Sequence, residues 1–115
     1  MIIYEVNLAV EPSVLSEWLP WLRTHISELL ALDGFMAAQL ERQMDPIDAV
    51  RSTESASVMR VEYTVRYTLR DQEALHHYLT HHAPRLRNDG LRRFPGQVSA
   101  SRRVLELLSS LETDG

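Results

Sequence analysis

The sequence predicts an α+β protein in which a four-stranded antiparallel sheet is covered by helices on one face only. Residues 58–69 alternate between apolar and polar side chains, which is the period-two pattern of a strand with one buried face. Residues 2–10 and 97–105 alternate in the same way, and two stretches with apolar residues at helical spacing separate the strands. The resulting order is βαββαβ. Helices that return to one face of an antiparallel sheet then give a ferredoxin-like sandwich.

Four strands are predicted, over residues 2–10, 35–43, 58–69 and 97–105. In the ferredoxin-like order the first and third strands are central. The alternation places Tyr4, Tyr63 and Tyr67 on the helix-covered face, and it places Phe35 on the opposite face with Ala37. RNA-recognition domains of this fold display aromatic side chains on the open face. The position of the tyrosines therefore argues against RNA binding.

The helical segments are defined by their prolines and caps. The first helix is expected to open at Pro12, where a missing N–H costs nothing, and to end before Gly34. Pro20 should kink this helix or restart it, because it removes a backbone hydrogen bond. Asp71 is expected to cap the second helix, and Pro84 is expected to break that helix into two pieces.

Length and composition indicate one small domain. Residues 1–105 of the 115 are assigned to it, and residues 106–115 to a short terminal helix or frayed tail. A net charge of −4 argues against nucleic acid as a partner, and the absence of cysteine excludes disulfides and thiolate metal sites. No apolar run approaches the roughly 20 residues that span a membrane. Without a secretion signal at the N-terminus, the expected location is the cytoplasm.

Polar residues from all four predicted strands fall on the open face of the sheet. One interpretation is a solvated face whose charges pair across strands. The other is a face that meets the sheet of a second copy and encloses a polar cavity. The polar loop over residues 44–57 is interpreted as a lid, a dimer arm or a disordered excursion. The open-face set comprises Glu5, Asn7, Gln39, Glu41, Arg60, Glu62, Thr64, Arg66, Ser99, Ser101 and Arg103.

The histidines and arginines of the second helical region offer candidate chemistry. His77 and His81 lie one helical turn apart, but they face outward without a third ligand nearby, so no metal site is predicted. His82 shares the inner stripe and is interpreted as a hydrogen-bonded structural histidine or as a general base. An anion-binding edge or a solvated basic flank is predicted for four arginines, Arg85, Arg87, Arg102 and Arg103.

Short motifs follow one another along the chain, in residues 1–7, the Trp-Leu segment with His25-Ile26, Gly34-Phe35, residues 63–67, 82–87 and 89–91, and Phe94 with residues 99–105. Together these motifs resemble a small bacterial family of domains of unknown function, DUF4286. The resemblance implies a ferredoxin-like fold of the dimeric α+β barrel type and no established activity. Pro20 and the loop over residues 44–57 depart from the usual pattern of that family.

Dimeric α+β barrels include cofactor-free monooxygenases of antibiotic biosynthesis, haem-degrading enzymes and small ligand or stress-response proteins. The haem-degrading branch is similar in pairing an Asn on the first strand with a His on the second helix. Asn7 could fill the first role, and His76, His77, His81 or His82 the second. That branch also needs a Trp in the sheet, whereas Trp18 and Trp21 lie on the first helix. No haem or other cofactor is therefore expected.

Three functions are compatible with these features. The first is a homodimer that binds a small anionic or aromatic molecule at the open face. The second is a cofactor-free enzyme of the monooxygenase or isomerase kind, with Asn7, Arg66 and His82 as candidate catalytic residues. The third is a structural interaction module that uses Trp18 and Trp21. The candidate ligand-binding residues of the first are Glu5, Asn7, Arg60, Glu62, Thr64, Arg66 and Arg103.

Overall fold

The structure, a computed structural model, describes residues 1–44 and 59–113. It contains four strands and three α-helices, and a short 3-10 turn over Pro12–Val14 leads into the first helix. The elements in chain order are β1 (Ile2–Val10), α1 (Leu15–Leu30), β2 (Phe35–Arg42), β3 (Val61–Leu69), α2 (Gln72–His81), α3 (Ala83–Arg93) and β4 (Val98–Glu106).

The strands form one antiparallel sheet in the order β2-β3-β1-β4. The predicted ferredoxin-like topology is confirmed, with the first and third strands at the centre. Alternate residues of these two strands are buried under the helices, including Tyr4, Tyr63 and Tyr67 as predicted. The rings of Tyr4 and Tyr67 lie 6.1 Å apart across the β1–β3 pair, and Trp18 of α1 packs 5.4 Å from Tyr63. Burial of these large aromatic surfaces stabilises the sheet against the helices.

The second strand departs from the predicted alternation because it contains a β-bulge. Phe35 pairs with Leu69, but the next partner along β3, Thr68, pairs with Ala37. The extra residue, Met36, turns outward and is 55% exposed. Phe35 therefore lies on the core side, 5.7 Å from the ring of Tyr67. The prediction that it lies on the open face is wrong.

The helices begin and end close to the predicted caps, with two differences in the first helical region. Pro12 opens a 3-10 turn, so α1 begins at Leu15 rather than at Pro12, and Pro20 does not restart the helix. The Asp71 carboxylate accepts a hydrogen bond of 2.9 Å from the backbone N–H of Ala74, which confirms the predicted cap of α2. Pro84 lies in the first turn of α3, so the second helical region is divided as expected. Pro20 lies inside α1 without dividing it. The helix tolerates the proline because tertiary packing holds both of its halves on the sheet.

The start of β3 and the segment after β4 also differ from prediction. Met59 and Arg60 precede β3, which begins at Val61 rather than at residue 58. Glu106 ends β4, and residues 107–113 have no regular secondary structure. Of the two alternatives predicted for the terminal segment, a short helix or a frayed tail, the helix is therefore absent over these residues. The predicted lid or dimer arm over residues 44–57 lies outside the described residues except for Met44. No helix in the described parts of the chain is long and apolar enough to cross a membrane.

Candidate functional site

Glu5 is the centre of the polar network on the open face. Its carboxylate accepts hydrogen bonds of 2.7 Å and 3.3 Å from Arg103, and the guanidinium of Arg66 lies 3.3 Å away. Asn7 donates to the same carboxylate at 3.1 Å and accepts from the hydroxyl of Thr64 at 2.7 Å. The hydrogen bonds from Arg103 and Asn7 lower the pKa of Glu5, so the group stays charged.

The structure thus brings together most of the predicted ligand-binding residues. A shallow depression of about 240 Å³ adjoins the network and is lined by Asn7, Glu62 and Thr64 among others. Arg60 lies apart from this network, because it precedes β3 and its guanidinium donates to the carbonyl of Gly96 at 3.0 Å. The polar groups of this face largely satisfy one another. Their predicted role as a ligand site stays a prediction.

The three candidate catalytic residues do not share a site. Asn7 and Arg66 lie on the open face, whereas His82 lies between α2 and α3 in the helix layer on the other side of the sheet. The ring of His82 is 5.6 Å from that of His77, which in turn is 4.5 Å from that of His81. Within residues 1–44 and 59–113, no group of three or more His, Cys, Asp or Glu side chains is arranged so that it could hold a metal ion.

A larger cavity lies on the opposite face of the sheet, between the strands and the helices. This helix-side cavity has a volume of about 310 Å³. The edge strand β4 leaves it partly open, since Ala100 in its lining is small and exposed. Its lining is mainly apolar and aromatic, and includes Tyr4, Val6, Leu8, Val65, Tyr67, Val98 and Ala100 from the sheet and Trp18, Trp21, Leu22, His25, Tyr78, Leu86 and Phe94 from the helices.

Trp21 forms the wall of the cavity where α1 meets α3. Its indole N–H donates to the Asp89 carboxylate at 3.1 Å, and its ring stacks on His25 with the centroids 5.1 Å apart. Gly90 allows this approach, because a Cβ there would lie 2.9 Å from the Trp21 ring. Trp18 is 1% exposed in the single chain, so an interaction module that uses both Trp18 and Trp21 is not supported at Trp18.

A few polar groups converge on this apolar space. The hydroxyl of Tyr4 accepts a hydrogen bond of 2.9 Å from the guanidinium of Arg87, and Arg102 of β4 also lines the cavity. Burial raises the pKa of Tyr78 to about 12, so its phenol is protonated at neutral pH. Burial lowers the pKa of His25 below its ordinary value of 6.5, which leaves the imidazole neutral and able to accept a proton.

The sequence alone does not predict this cavity, although it contains two signals of it. His25 falls on the apolar side of the first helix, and Ala100 and Arg102 fall on the helix side of the fourth strand. Neither signal identifies a cavity until the spacing between α1, α3 and β4 is known. A ligand pocket of this kind is mainly apolar with a few polar groups that fix orientation.

Comparisons with known proteins agree with the fold. The sequence profile of DUF4286, a domain of unknown function, matches residues 1–108. No curated protein matches the chain. A candidate antibiotic biosynthesis monooxygenase from Deinococcus radiodurans superposes with a TM-score of 0.70 at 14% identity, with all of both chains covered. SnoaB, a cofactor-independent oxygenase from Streptomyces nogalater, gives 0.68 at 13% identity over 97% of this chain and 98% of its own.

A third structure, a protein of unknown function from Nitrosomonas europaea, gives a TM-score of 0.65 at 14% identity over 99% of this chain and 95% of its own. At such low identity these three likenesses establish a shared fold. They confirm the ferredoxin-like architecture and leave the chemistry to the residues of this chain.

Proposed function

The chain belongs to the DUF4286 family, and we propose that its helix-side cavity binds a flat, largely apolar small molecule. The observation that supports this proposal is the cavity itself, about 310 Å³ of space walled by aromatic rings. Such a volume falls at the lower end of ligand pockets and suits a molecule of two or three fused or linked rings. The rings of Trp21 and His25 stack on each other in the cavity wall, and a flat molecule can pack against them.

Binding of phenyl-naphthylamine, a neutral dye that fluoresces in apolar surroundings, tests the proposal. We expect one dye molecule per chain. The substitution Ala100→Trp should remove roughly nine-tenths of the rise in dye fluorescence on binding, because an indole at the open side would fill the cavity. Ala31→Trp, at the exposed end of α1, is the matched control and should bind as the unchanged protein does. Equal fluorescence in both variants would place the dye elsewhere and overturn the proposal.

A second candidate function is cofactor-free proton abstraction from the bound molecule, and the neutral His25 in the cavity wall favours it. A neutral imidazole can take a proton from a C–H beside a carbonyl, and the guanidinium of Arg87 or Arg102 would stabilise the resulting enolate. SnoaB, a cofactor-independent oxygenase, shares the fold, which supports a reaction without a cofactor.

Deuterium exchange at the acidic methylene of tetralone, a bicyclic ketone, tests this second candidate by NMR in heavy water. We expect the protein to accelerate exchange. His25→Gln should lower the acceleration by roughly 10²-fold, the usual contribution of a general base. His76→Gln, at an exposed position of α2, is the control. An acceleration that survives in the His25→Gln variant would assign the proton transfer to another group.

A further inference from the structure

We infer that the ligand of the helix-side cavity is an aromatic acid, with its rings inside and its anionic group held at the mouth by Arg87 and Arg102. This inference rests on the proposed function and specifies its ligand class. It follows from the distribution of charge around the cavity.

The charged side chains that line the cavity are all basic. Arg87 and Arg102 are among the lining residues, and no carboxylate is among them in the described chain. Asp89 and Glu28 lie on the outer side of Trp21 and line a separate surface depression. The cavity therefore presents an apolar interior with positive charge at its edge, which complements an amphipathic anion.

Arg87 is held in place over the cavity. It extends from α3, and its Nη2 donates a hydrogen bond of 2.9 Å to the hydroxyl of Tyr4, which is only 2% exposed. A guanidinium presents five N–H donors in a planar fork that matches the oxygens of a carboxylate or sulfonate. Because the Tyr4 bond fixes the fork, little side-chain freedom remains to be lost on binding.

Arg102 approaches from the sheet side. It lies on the helix-facing side of β4, opposite Val6 in the register of the β1–β4 pair. Its positive charge contributes to lowering the pKa of both His25 and Tyr78, so its field reaches groups on two different helices. Two guanidinium groups on different elements can thus act on one bound anion. An anion between them would be held from two sides.

A matched pair of dyes tests the inference. Anilinonaphthalene sulfonate and phenyl-naphthylamine share their ring system and differ by the sulfonate. We expect the sulfonate dye to bind about tenfold more tightly, since a charge-assisted hydrogen bond is worth that factor or more. Arg87→Met and Arg102→Met should each lower its affinity about tenfold and change the affinity of the neutral dye by less than about twofold. Arg23→Met, at an exposed position of α1, should change neither affinity.

Each outcome decides a different statement. If both dyes bind with equal affinity and the arginine variants do not distinguish them, the aromatic-acid inference fails while the proposed function stands. If neither dye binds, both fail. If Arg87→Met does not fold because Tyr4 has lost its partner, Arg102→Met decides alone, since no hydrogen bond joins its guanidinium to another described side chain.

Discussion

Glu5 is only 4% exposed although it lies on the face of the sheet that none of the described helices covers. Its burial comes from the side chains around it. Arg103, Arg66 and Asn7 all reach its carboxylate, and these partners compensate for lost hydration. The alternation in the sequence correctly places Glu5 and Arg66 on one face. The pairing across β1, β3 and β4 follows from the register.

Glu5 should make stability depend on acid pH. Its pKa in the folded state lies below the ordinary value of 4.5, so its stabilising effect is present above that value and is lost as the pH falls through the folded pKa. We expect Glu5→Gln to lower the free energy of unfolding at pH 7 by about 1–2 kcal/mol. The variant should also lose less stability than the unchanged protein between neutral pH and about pH 3.

Urea unfolding at a series of pH values measures both effects. Glu62→Gln, at an exposed position on the same face, is the control and should change stability by less than about 0.5 kcal/mol. Identical acid dependence in the Glu5→Gln variant and the unchanged protein would mean that other carboxylates dominate the loss.

At the scale of the elements, period and caps predict most of the structure. The long alternation of the third strand and the Asp71 cap need only local physics, and both appear as predicted, although β3 begins at Val61. The β-bulge at Met36 could not be predicted, because a bulged strand has no distinct composition. The extra residue only changes which positions of the strand face the core. Pro20 shows a related limit, since α1 continues through it and the local sequence alone does not decide whether a proline restarts a helix.

The helix-side cavity is a property of how elements pack. Glycine disfavours a helix, yet α3 continues through Gly90, and the missing side chain there admits Trp21 of α1. His25, Arg87 and Arg102 come from three elements, and no periodicity in one segment relates them. The polar open face, by contrast, could be predicted from the alternation within each of the four strands, because strand pairing fixes the distance between side chains on neighbouring strands.

At the scale of the whole molecule, the register arranges the open face in rows across four strands. One row is weakly apolar and crosses Ala37, Thr68, Ile3 and Leu105. The neighbouring row is charged and crosses Gln39, Arg66, Glu5 and Arg103. Ile3, Thr68 and Leu105 are half-buried even in a single chain. A face with an apolar row beside self-paired charges suits contact with a second sheet better than contact with water.

We predict that the chain forms a homodimer through this open face. Light scattering should give twice the chain mass of 13.2 kDa over a wide range of concentrations. Thr68→Arg should give the mass of one chain, because it places an unpaired guanidinium at the centre of the apolar row, where burial against a second copy is costly. Thr80→Arg, at an exposed position of α2, should remain dimeric. If the unchanged protein has the mass of a single chain at every concentration, the open face is a solvated surface and its charges pair only within the chain.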